Sequence, residues 1–270
     1  MSILAAIQMV SESDVAANLA TAADLLAEAV RRGARLAVLP ENFALMGRRE
    51  SDKLAIREAA GDGPIQAFLA EQAARHRLWL VGGTIPLQSG ADHQRVRAAC
   101  LLFDDRGRQA ARYDKVHLFD VQLPDSAECY TESATIAPGD HYVVADTPFG
   151  RLGLAVCYDL RFPEQFRAMS AQGMDLLALP AAFTAATGAA HWEILLRARA
   201  IENQCYVIAS AQGGRHDNGR ETFGDSLLVD PWGLILDRLC AGPGVALGKL
   251  DQAFLESVRQ QFPVLEHRLA

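Results

Sequence analysis

Two stretches of the sequence share one pattern and decide the fold: Gly33–Pro40, which reads GARLAVLP, and Gly173–Pro180, which reads GMDLLALP. In each stretch a glycine follows a helical pattern, a short apolar run comes next, and a proline closes the run. Glycine is typical of helix C-termini, and a short apolar run is typical of a buried strand. The repetition predicts two similar halves, each a sheet backed by helices, in an α/β fold.

Around the first stretch, strand and helix patterns alternate. Apolar residues recur every three or four positions over Val15–Val30, with Asp14 placed to cap the helix. A second helix is predicted over Pro64–Arg77, with the proline in its first turn. Two strands, Val96–Phe103 and Gln109–Tyr113, are predicted to pair as a hairpin.

The second half has the same organisation. Leu152–Cys157 is predicted as a strand, Pro163–Gln172 as a helix, Trp192–Asn203 as a helix and Cys205–Ala209 as a buried strand. A last helix begins after Asp251. No low-complexity linker separates the halves, so we expect one domain over residues 1–270.

Composition excludes several classes of protein. Half of the 270 residues are hydrophobic and 22% are charged, a balance that is typical of a packed globular protein. The net charge is −7 and there is no basic block, which argues against binding to nucleic acid or to an anionic membrane surface. No apolar run approaches the roughly 18 residues that a membrane span needs.

The sequence has five widely spaced cysteines and no C-x-x-C pair. An odd, scattered set argues against a disulfide framework and predicts a cytoplasmic location. No G-x-S-x-G motif is present, and Gly244–Lys249 is not a phosphate-binding loop because Pro243 and Leu250 replace essential residues. The seven histidines lack the spacing of metal ligands, so we expect no metal.

Cys157 is the best candidate for a reactive thiol. It follows an apolar strand, and the carboxyl ends of strands in α/β sheets form the crevice that binds ligands. Arg161 and the helix that begins at Pro163 would favour the thiolate. From its position alone, an inert half-exposed thiol is the alternative interpretation.

Two further residues occupy similar positions. Glu41 follows the apolar strand and Pro40, and Lys115 follows the predicted hairpin. Taken singly, Glu41 is more simply interpreted as the start of a solvated loop and Lys115 as an ordinary surface lysine.

Together, these segments resemble three motifs of the nitrilase superfamily, in the same order. The motifs are Leu39–Asn42, Tyr113–Leu118 and Cys157–Glu164, and the resemblance includes Glu132–Ser133 leading to Pro138–Gly139. The likeness extends over essentially the whole chain. It implies an α-β-β-α sandwich with an internal pseudo-two-fold axis that assembles as a homodimer, without a metal or an organic cofactor.

The resemblance also implies a mechanism. Glu41 accepts the proton of Cys157, whose thiolate attacks an amide carbonyl, while Lys115 and the backbone N–H of Tyr158 bind the oxyanion. We expect burial to raise the pKa of Glu41 and Lys115 to limit that rise.

The second glutamate of the family is expected to orient the lysine and to shape the water site. The resemblance assigns this supporting role to Glu132. Glu128 is close in the sequence and is the competing candidate.

Within the superfamily, the second half resembles the branch of deaminated glutathione amidase and ω-amidase, on the segments Thr187–Glu193, Leu195–Val207 and Ala211–His216. The substrate implied is glutathione whose glutamyl amine has become a ketone, which is cut to 2-oxoglutarate and cysteinylglycine as a metabolite repair. Two alternatives are an ω-amidase that acts on 2-oxoglutaramate and a catalytically silent partner protein. The intact Glu41, Lys115 and Cys157 argue against the last.

A 2-oxo acid carboxylate calls for a cation, and Arg161 is the best placed, although a salt bridge to Glu164 would also explain it. By resemblance, Phe183 and Thr187 line the substrate pocket. Phe183 could instead be core and Thr187 a helix cap. His216 is compatible with a contact to the cysteinylglycine end or with a solvated loop.

Overall fold

The computed structural model describes residues 2–90, 92–122 and 129–268. In these residues the α-helices are α1 (Val15–Arg31), α2 (Pro64–His76), α3 (Pro163–Ala171), α4 (Ala185–Asn203) and α5 (Gln252–Gln261). Short 3-10 turns lie at Glu50–Leu54, Glu132–Ala134 and Cys157–Arg161. The strands are β1 (Ser2–Gln8), β2 (Ala34–Val38), β3 (Trp79–Val81), β4 (Ile85–Ser89), β5 (Asp92–Phe103), β6 (Gln109–Asp114), β7 (Asp120–Gln122), β8 (Cys129–Thr131), β9 (Val143–Thr147), β10 (Gly150–Leu154), β11 (Leu176–Ala181), β12 (Tyr206–Ala211), β13 (Gly213–Arg215), β14 (Glu221–Phe223), β15 (Ser226–Val229), β16 (Ile235–Leu239) and β17 (Gly244–Leu250).

The first two helices begin and end where the sequence predicted. Asp14 caps α1 and accepts a hydrogen bond from the Ala17 N–H at 3.1 Å. Pro64 is the first residue of α2, and Arg77 ends that helix in a left-handed conformation. These caps satisfy backbone groups that the helix itself leaves unpaired.

Two sheets form the centre of the molecule and have matching parallel cores. The first has the strand order β17-β1-β2-β3-β5-β4, with β6 beside β5, and β1, β2 and β3 are parallel. The second has the order β16-β15-β12-β11-β10-β9, and β10, β11 and β12 are parallel. In each sheet antiparallel strands flank the parallel core, which confirms the predicted internal repeat.

Alternate side chains of β1 lie on opposite faces of the first sheet. Leu4 and Ala6 pack in one core with residues of the second sheet, α3 and α4. Ala5 and Ile7 pack in another core with residues of α1 and α2. The two sheets are therefore sandwiched between helices, and the predicted α-β-β-α architecture is confirmed. The Ser210 hydroxyl donates to the Ile7 carbonyl and links the two sheets.

The structure differs from the sequence prediction at several elements, and β5 begins at Asp92 and not at the predicted Val96. The strand predicted over Leu152–Cys157 ends at Leu154, and the helix predicted from Trp192 begins at Ala185. Gly244–Leu250, which we had examined only as a phosphate-binding loop, is a strand that pairs with β1. None of the described helices combines the length and apolar character that a transmembrane helix requires.

Candidate active site

Three loops bring a glutamate, a lysine and a cysteine together at the ends of strands. Glu41 follows β2 through Pro40, Lys115 directly follows β6, and Cys157 lies three residues beyond β10. Gly83 lets the loop after β3 approach the loop that carries Glu41, since a Cβ at Gly83 would collide with the Pro40 carbonyl. The backbone of Gly83 also has a φ of 58°, which favours glycine.

Cys157 is the first residue of a 3-10 turn and has a left-handed backbone, with a φ of 49°. Such a φ is uncommon for a residue other than glycine, and strained residues cluster at functional sites. The Asp159 carboxylate stabilises the turn by accepting a hydrogen bond from the Val156 N–H at 2.8 Å. The strand therefore ends early because the chain turns sharply to present the thiol.

Asp159 also connects this turn to the segment that carries Lys115. Its carboxylate accepts hydrogen bonds from the Tyr113 hydroxyl at 2.7 Å and from the His117 N–H at 3.1 Å. The His117 ring nitrogen Nδ1 lies 2.7 Å from the same carboxylate. Sequence analysis missed this set, although Tyr113 and His117 flank the lysine symmetrically and Asp159 follows the cysteine by two residues.

Lys115 is buried between two carboxylates. Its Nζ lies 2.9 Å from Glu41 Oε1 and 2.9 Å from both carboxylate oxygens of Glu132. The Phe119 N–H donates to Glu132 Oε2 at 2.6 Å and fixes that carboxylate. Because a buried charge is costly unless paired, this arrangement lets a lysine remain charged inside the protein. The competing candidate, Glu128, lies outside the described residues.

The proton is on the thiol in the resting site. Burial raises the pKa of Cys157 well above 9.0, and the negative charge of Glu41 raises it further. Burial alone would raise the pKa of Glu41, but the charge of Lys115 and a hydrogen bond from the thiol hold it below 4.5. The expectation of a raised glutamate pKa was therefore wrong, and so was the expectation that Arg161 and the helix at Pro163 would favour the thiolate. The thiol donates to a carboxylate that is ready to accept its proton.

The site also has donors for a developing negative charge. Tyr158 is the second residue of the turn, and the first amides of such a turn have no carbonyl partner within it. The Tyr158 N–H and the Lys115 ammonium are therefore suited to binding an oxyanion. The Tyr158 ring packs edge-on against Phe119, with ring centres 5.1 Å apart.

One cavity of about 570 Å³ lies over this cluster. Eight of the residues that the sequence analysis named line it: Glu41, Lys115, Glu132, Cys157, Tyr158, Arg161, Phe183 and Thr187. The structure therefore brings the predicted catalytic and substrate-binding side chains into one space.

The substrate-side residues have specific contacts. Arg161 stacks on Phe183, with 5.1 Å from its guanidinium carbon to the ring centre, and its Nη1 lies 3.2 Å from His191 Nδ1. In the described part of the chain it forms no salt bridge, so the alternative of a pair with Glu164 is not supported. The cap of α4 is Thr184, which leaves Thr187 inside the cavity.

The cavity also contains residues that the sequence analysis missed, Arg220 among them. It ends the loop between β13 and β14, just beyond the quoted Ala211–His216 segment. His216 itself is neither solvated nor in the cavity lining. It is 3% exposed, and its ring nitrogens lie 2.7 Å from the Ser11 carbonyl oxygen and 2.8 Å from Thr222 Oγ1.

In the ranges 2–90, 92–122 and 129–268, no group of three or more His, Cys, Asp or Glu side chains is arranged to hold a metal ion.

Comparison with known proteins supports this arrangement. A family model described as carbon-nitrogen hydrolase matches residues 3–260. A deaminated glutathione amidase from Yersinia enterocolitica is 43% identical over 98% of this chain and 92% of its own length. The crystal structure of the NitFhit protein of Caenorhabditis elegans has a TM-score of 0.92 at 36% identity, over 99% of this chain and 65% of that longer chain.

A second structure is that of a mutant of the amidase from Nesterenkonia sp. AN1, in which acrylamide has added to the active-site cysteine. It has a TM-score of 0.80 at 28% identity, over 98% of this chain and 99% of its own. The resemblance to the nitrilase superfamily is confirmed by these matches. The chain belongs to the carbon-nitrogen hydrolase family and is an enzyme of that class.

Proposed function

We propose that this enzyme hydrolyses the side-chain amide of deaminated glutathione to 2-oxoglutarate and cysteinylglycine. The observation that carries the proposal is one cavity that contains the thiol of Cys157, the Glu41 carboxylate, the Lys115 ammonium and the Arg161 guanidinium. The names of relatives such as the Yersinia enterocolitica amidase favour this substrate over 2-oxoglutaramate and over a silent partner protein.

In the first half of the reaction, Glu41 takes the proton of Cys157 as the sulfur bonds to the amide carbonyl carbon. The carbonyl oxygen becomes an oxyanion, which Lys115 and the Tyr158 N–H stabilise. The protonated Glu41 then gives its proton to the nitrogen. The carbon–nitrogen bond breaks, cysteinylglycine leaves with a free amine, and the acyl group remains on the sulfur as a thioester.

In the second half, water replaces the peptide. Glu41 takes a proton from this water as its oxygen attacks the thioester carbonyl, and the same donors stabilise the second oxyanion. The carbon–sulfur bond then breaks, 2-oxoglutarate leaves, and Glu41 returns the proton to Cys157. Glu132 has a supporting role, because it holds the Lys115 ammonium in place through both of its oxygens.

The acyl part of the substrate lies against Arg161, Phe183 and Thr187. Arg161 is restrained by its stacking on the Phe183 ring and retains N–H groups for a bidentate grip on the 2-oxo acid carboxylate. Thr187 supplies a hydroxyl at the same wall of the cavity.

A side-by-side measurement of kcat/KM tests the substrate. We expect deaminated glutathione to exceed 2-oxoglutaramate by about 100-fold or more, roughly 2.7 kcal/mol of transition-state binding. The reverse preference would make the enzyme an ω-amidase. Mass spectrometry of an acid-quenched reaction should find the thioester on Cys157, and a chain that never acquires it would be a silent partner.

We also infer that the enzyme is a single domain that acts as a homodimer in the cytoplasm. Large apolar side chains on α4 and on the nearby turn are exposed, namely Ile194, Ile201, Trp232 and Leu234. An exposed apolar patch of this kind favours association with a second subunit. The five cysteines are unpaired, which favours a reducing compartment. Sedimentation of the wild type and of Ile194→Lys tests the dimer, and a monomeric wild type would contradict it.

A further inference from the structure

The cations around the cavity differ in whether an acidic side chain neutralises them. Lys115 is paired with two carboxylates, and Lys53 lies 2.7 Å from Glu50. Among the described residues, the two arginines of the cavity, Arg161 and Arg220, form no ion pair with a carboxylate. Two positive charges in the lining are therefore available to an anionic ligand.

Arg220 is held in place by neutral hydrogen-bond and ring partners, and the carboxylates of Glu41 and Glu50 act on it only electrostatically, without a direct ion pair. Its Nη2 donates to the Ala182 carbonyl at 3.1 Å, and its guanidinium stacks on the Tyr130 ring, 5.3 Å from the ring centre. Its Nε is buried and has no hydrogen-bond partner among the residues that the structure describes. A buried N–H of a charged group without a partner is costly unless a ligand satisfies it.

The hairpin fixes the backbone of Arg220 as well. The Arg220 carbonyl accepts from the His216 N–H at 2.9 Å, and the Arg220 N–H donates to Asn218 Oδ1 at 2.9 Å. Asn218 in turn donates to the Gly47 carbonyl at 2.7 Å. His216, buried against the Ser11 carbonyl, anchors the start of the same turn. The guanidinium is thus preorganised, which lowers the cost of binding an anion.

Arg220 lies at the boundary between the catalytic cavity and a second, larger hollow that is open to solvent. Both spaces share five lining residues: Asn42, Glu50, Lys53, Tyr130 and Arg220. Of the two spaces, Arg161 lines only the catalytic cavity. The two unpaired arginines therefore differ in position, one within the catalytic cavity and the other at its junction with the larger space.

Resting on the function proposed above, we propose that Arg220 binds the C-terminal carboxylate of the peptide leaving group. Deaminated glutathione has two carboxylates, on opposite sides of the scissile amide, and the cavity has two unpaired arginines. Arg161 takes the 2-oxo acid carboxylate. The longer peptide side extends toward the second hollow, where the guanidinium of Arg220 pairs with the glycine carboxylate.

This assignment explains how the active site selects an amide of a peptide over a small primary amide. 2-Oxoglutaramate has the acyl half of the substrate but lacks the second carboxylate, so it leaves Arg220 unsatisfied. A site built to pair with a group discriminates strongly against ligands that lack the group. Arg220 is therefore a specificity-determining residue, whereas Arg161 serves both substrates.

The test compares deaminated glutathione with the same compound amidated at its C-terminal carboxylate. The wild type should prefer the free acid by about 10- to 100-fold in kcat/KM, mainly through KM. Arg220→Met should lose that preference, while the matched Arg215→Met, on the same hairpin but outside the cavity lining, should retain it. Thermal unfolding of each variant checks the fold.

Each other outcome overturns the proposal. If Arg220→Met lowered kcat/KM equally for both compounds, the arginine would have a structural role or would act on the catalytic carboxylates. A wild type that cleaves both compounds equally well would show that the glycine carboxylate is not recognised, even if the variant failed to fold. A wild type that cleaves neither would overturn the proposed function itself, which separates the two failures.

Discussion

The Tyr113 hydroxyl donates to Asp159 Oδ2 at 2.7 Å, and neither side chain is exposed to solvent. This hydrogen bond joins the strand that precedes Lys115 to the turn that presents Cys157. The same phenol oxygen accepts from the Val116 N–H at 3.1 Å. Together with the contacts of Asp159 to His117, this hydrogen bond sets the relative position of the ammonium and the thiol, although neither Tyr113 nor Asp159 lines the cavity.

Removing that hydroxyl should affect both stability and catalysis. Tyr113→Phe leaves Asp159 and the Val116 N–H each short of a partner, so we expect a loss of about 1–3 kcal/mol in the free energy of unfolding. We also expect kcat to fall more than KM rises. Urea denaturation and steady-state kinetics measure the two effects.

Tyr206→Phe is the matched control, because its hydroxyl donates to the Asp251 carbonyl at 3.1 Å, on an element that does not line the cavity. It should lose stability without a comparable change in kcat. If both variants lowered kcat alike, Tyr113 would have no special link to the site.

Cys157→Ser should abolish turnover and leave the fold intact, because an alcohol has a far higher pKa than a thiol and Glu41 cannot activate it. Circular dichroism and a kinetic assay check this. The exposed Cys129 and Cys240 are the controls, and their serine variants should keep wild-type kcat. Activity retained in Cys157→Ser would place the nucleophile elsewhere.

The pH profile of kcat/KM should have a broad plateau. The active form needs an ionised Glu41, whose pKa lies below 4.5, and a protonated Cys157, whose pKa lies above 9.0. Activity should therefore fall only below pH 4.5 as the carboxylate takes up a proton, and only above pH 9.0 as the thiol loses one. A narrow bell centred near pH 7 would contradict these directions, provided that melting temperatures show an intact fold.

Lys115→Met should be both inactive and unstable. It leaves the buried carboxylate of Glu41 and the partly buried one of Glu132 without their cation, and breaking a buried pair in this way costs about 3–5 kcal/mol. Adding Glu132→Gln should restore part of the stability but no activity, since one of the unpaired charges is removed and the oxyanion still lacks its ammonium. A double variant less stable than the single one would refute this account of the pairing.

Arg161→Met should lower kcat/KM by about 10- to 100-fold for deaminated glutathione and for 2-oxoglutaramate alike. Both compounds have the 2-oxo acid carboxylate that Arg161 is proposed to bind. Competition by 2-oxoglutarate should weaken by a similar factor. A loss confined to one of the two substrates would move Arg161 to a different part of the ligand.

Sequence patterns predicted the regular elements well where caps and periodicity agree. Asp14 and Pro64 marked two helix starts correctly because capping is a local property. The first turns of α4 contain Gly188 and small residues with little apolar periodicity, so that helix appeared to start later. Gly188 is there because Phe223 packs against it, a contact between distant segments.

The residues of the candidate site were only partly predictable from the sequence. Glu41, Lys115 and Cys157 lie in motifs, so the resemblance could name them, and the structure places them together. The directions of the pKa shifts could not be predicted, since they depend on which charge lies nearest in space. Asp159 and Arg220 were missed because their importance arises from distant segments that the fold brings into contact.

The protonated state of the resting nucleophile also has a consequence for oxidative damage. Hydrogen peroxide attacks thiolates, and a cysteine that stays protonated reacts slowly with it. Cys157 gives up its proton to Glu41 only as it bonds to a carbonyl carbon, so the reactive sulfur anion does not accumulate in the empty cavity. The enzyme should therefore resist inactivation by peroxide better than enzymes whose catalytic cysteine rests as a thiolate.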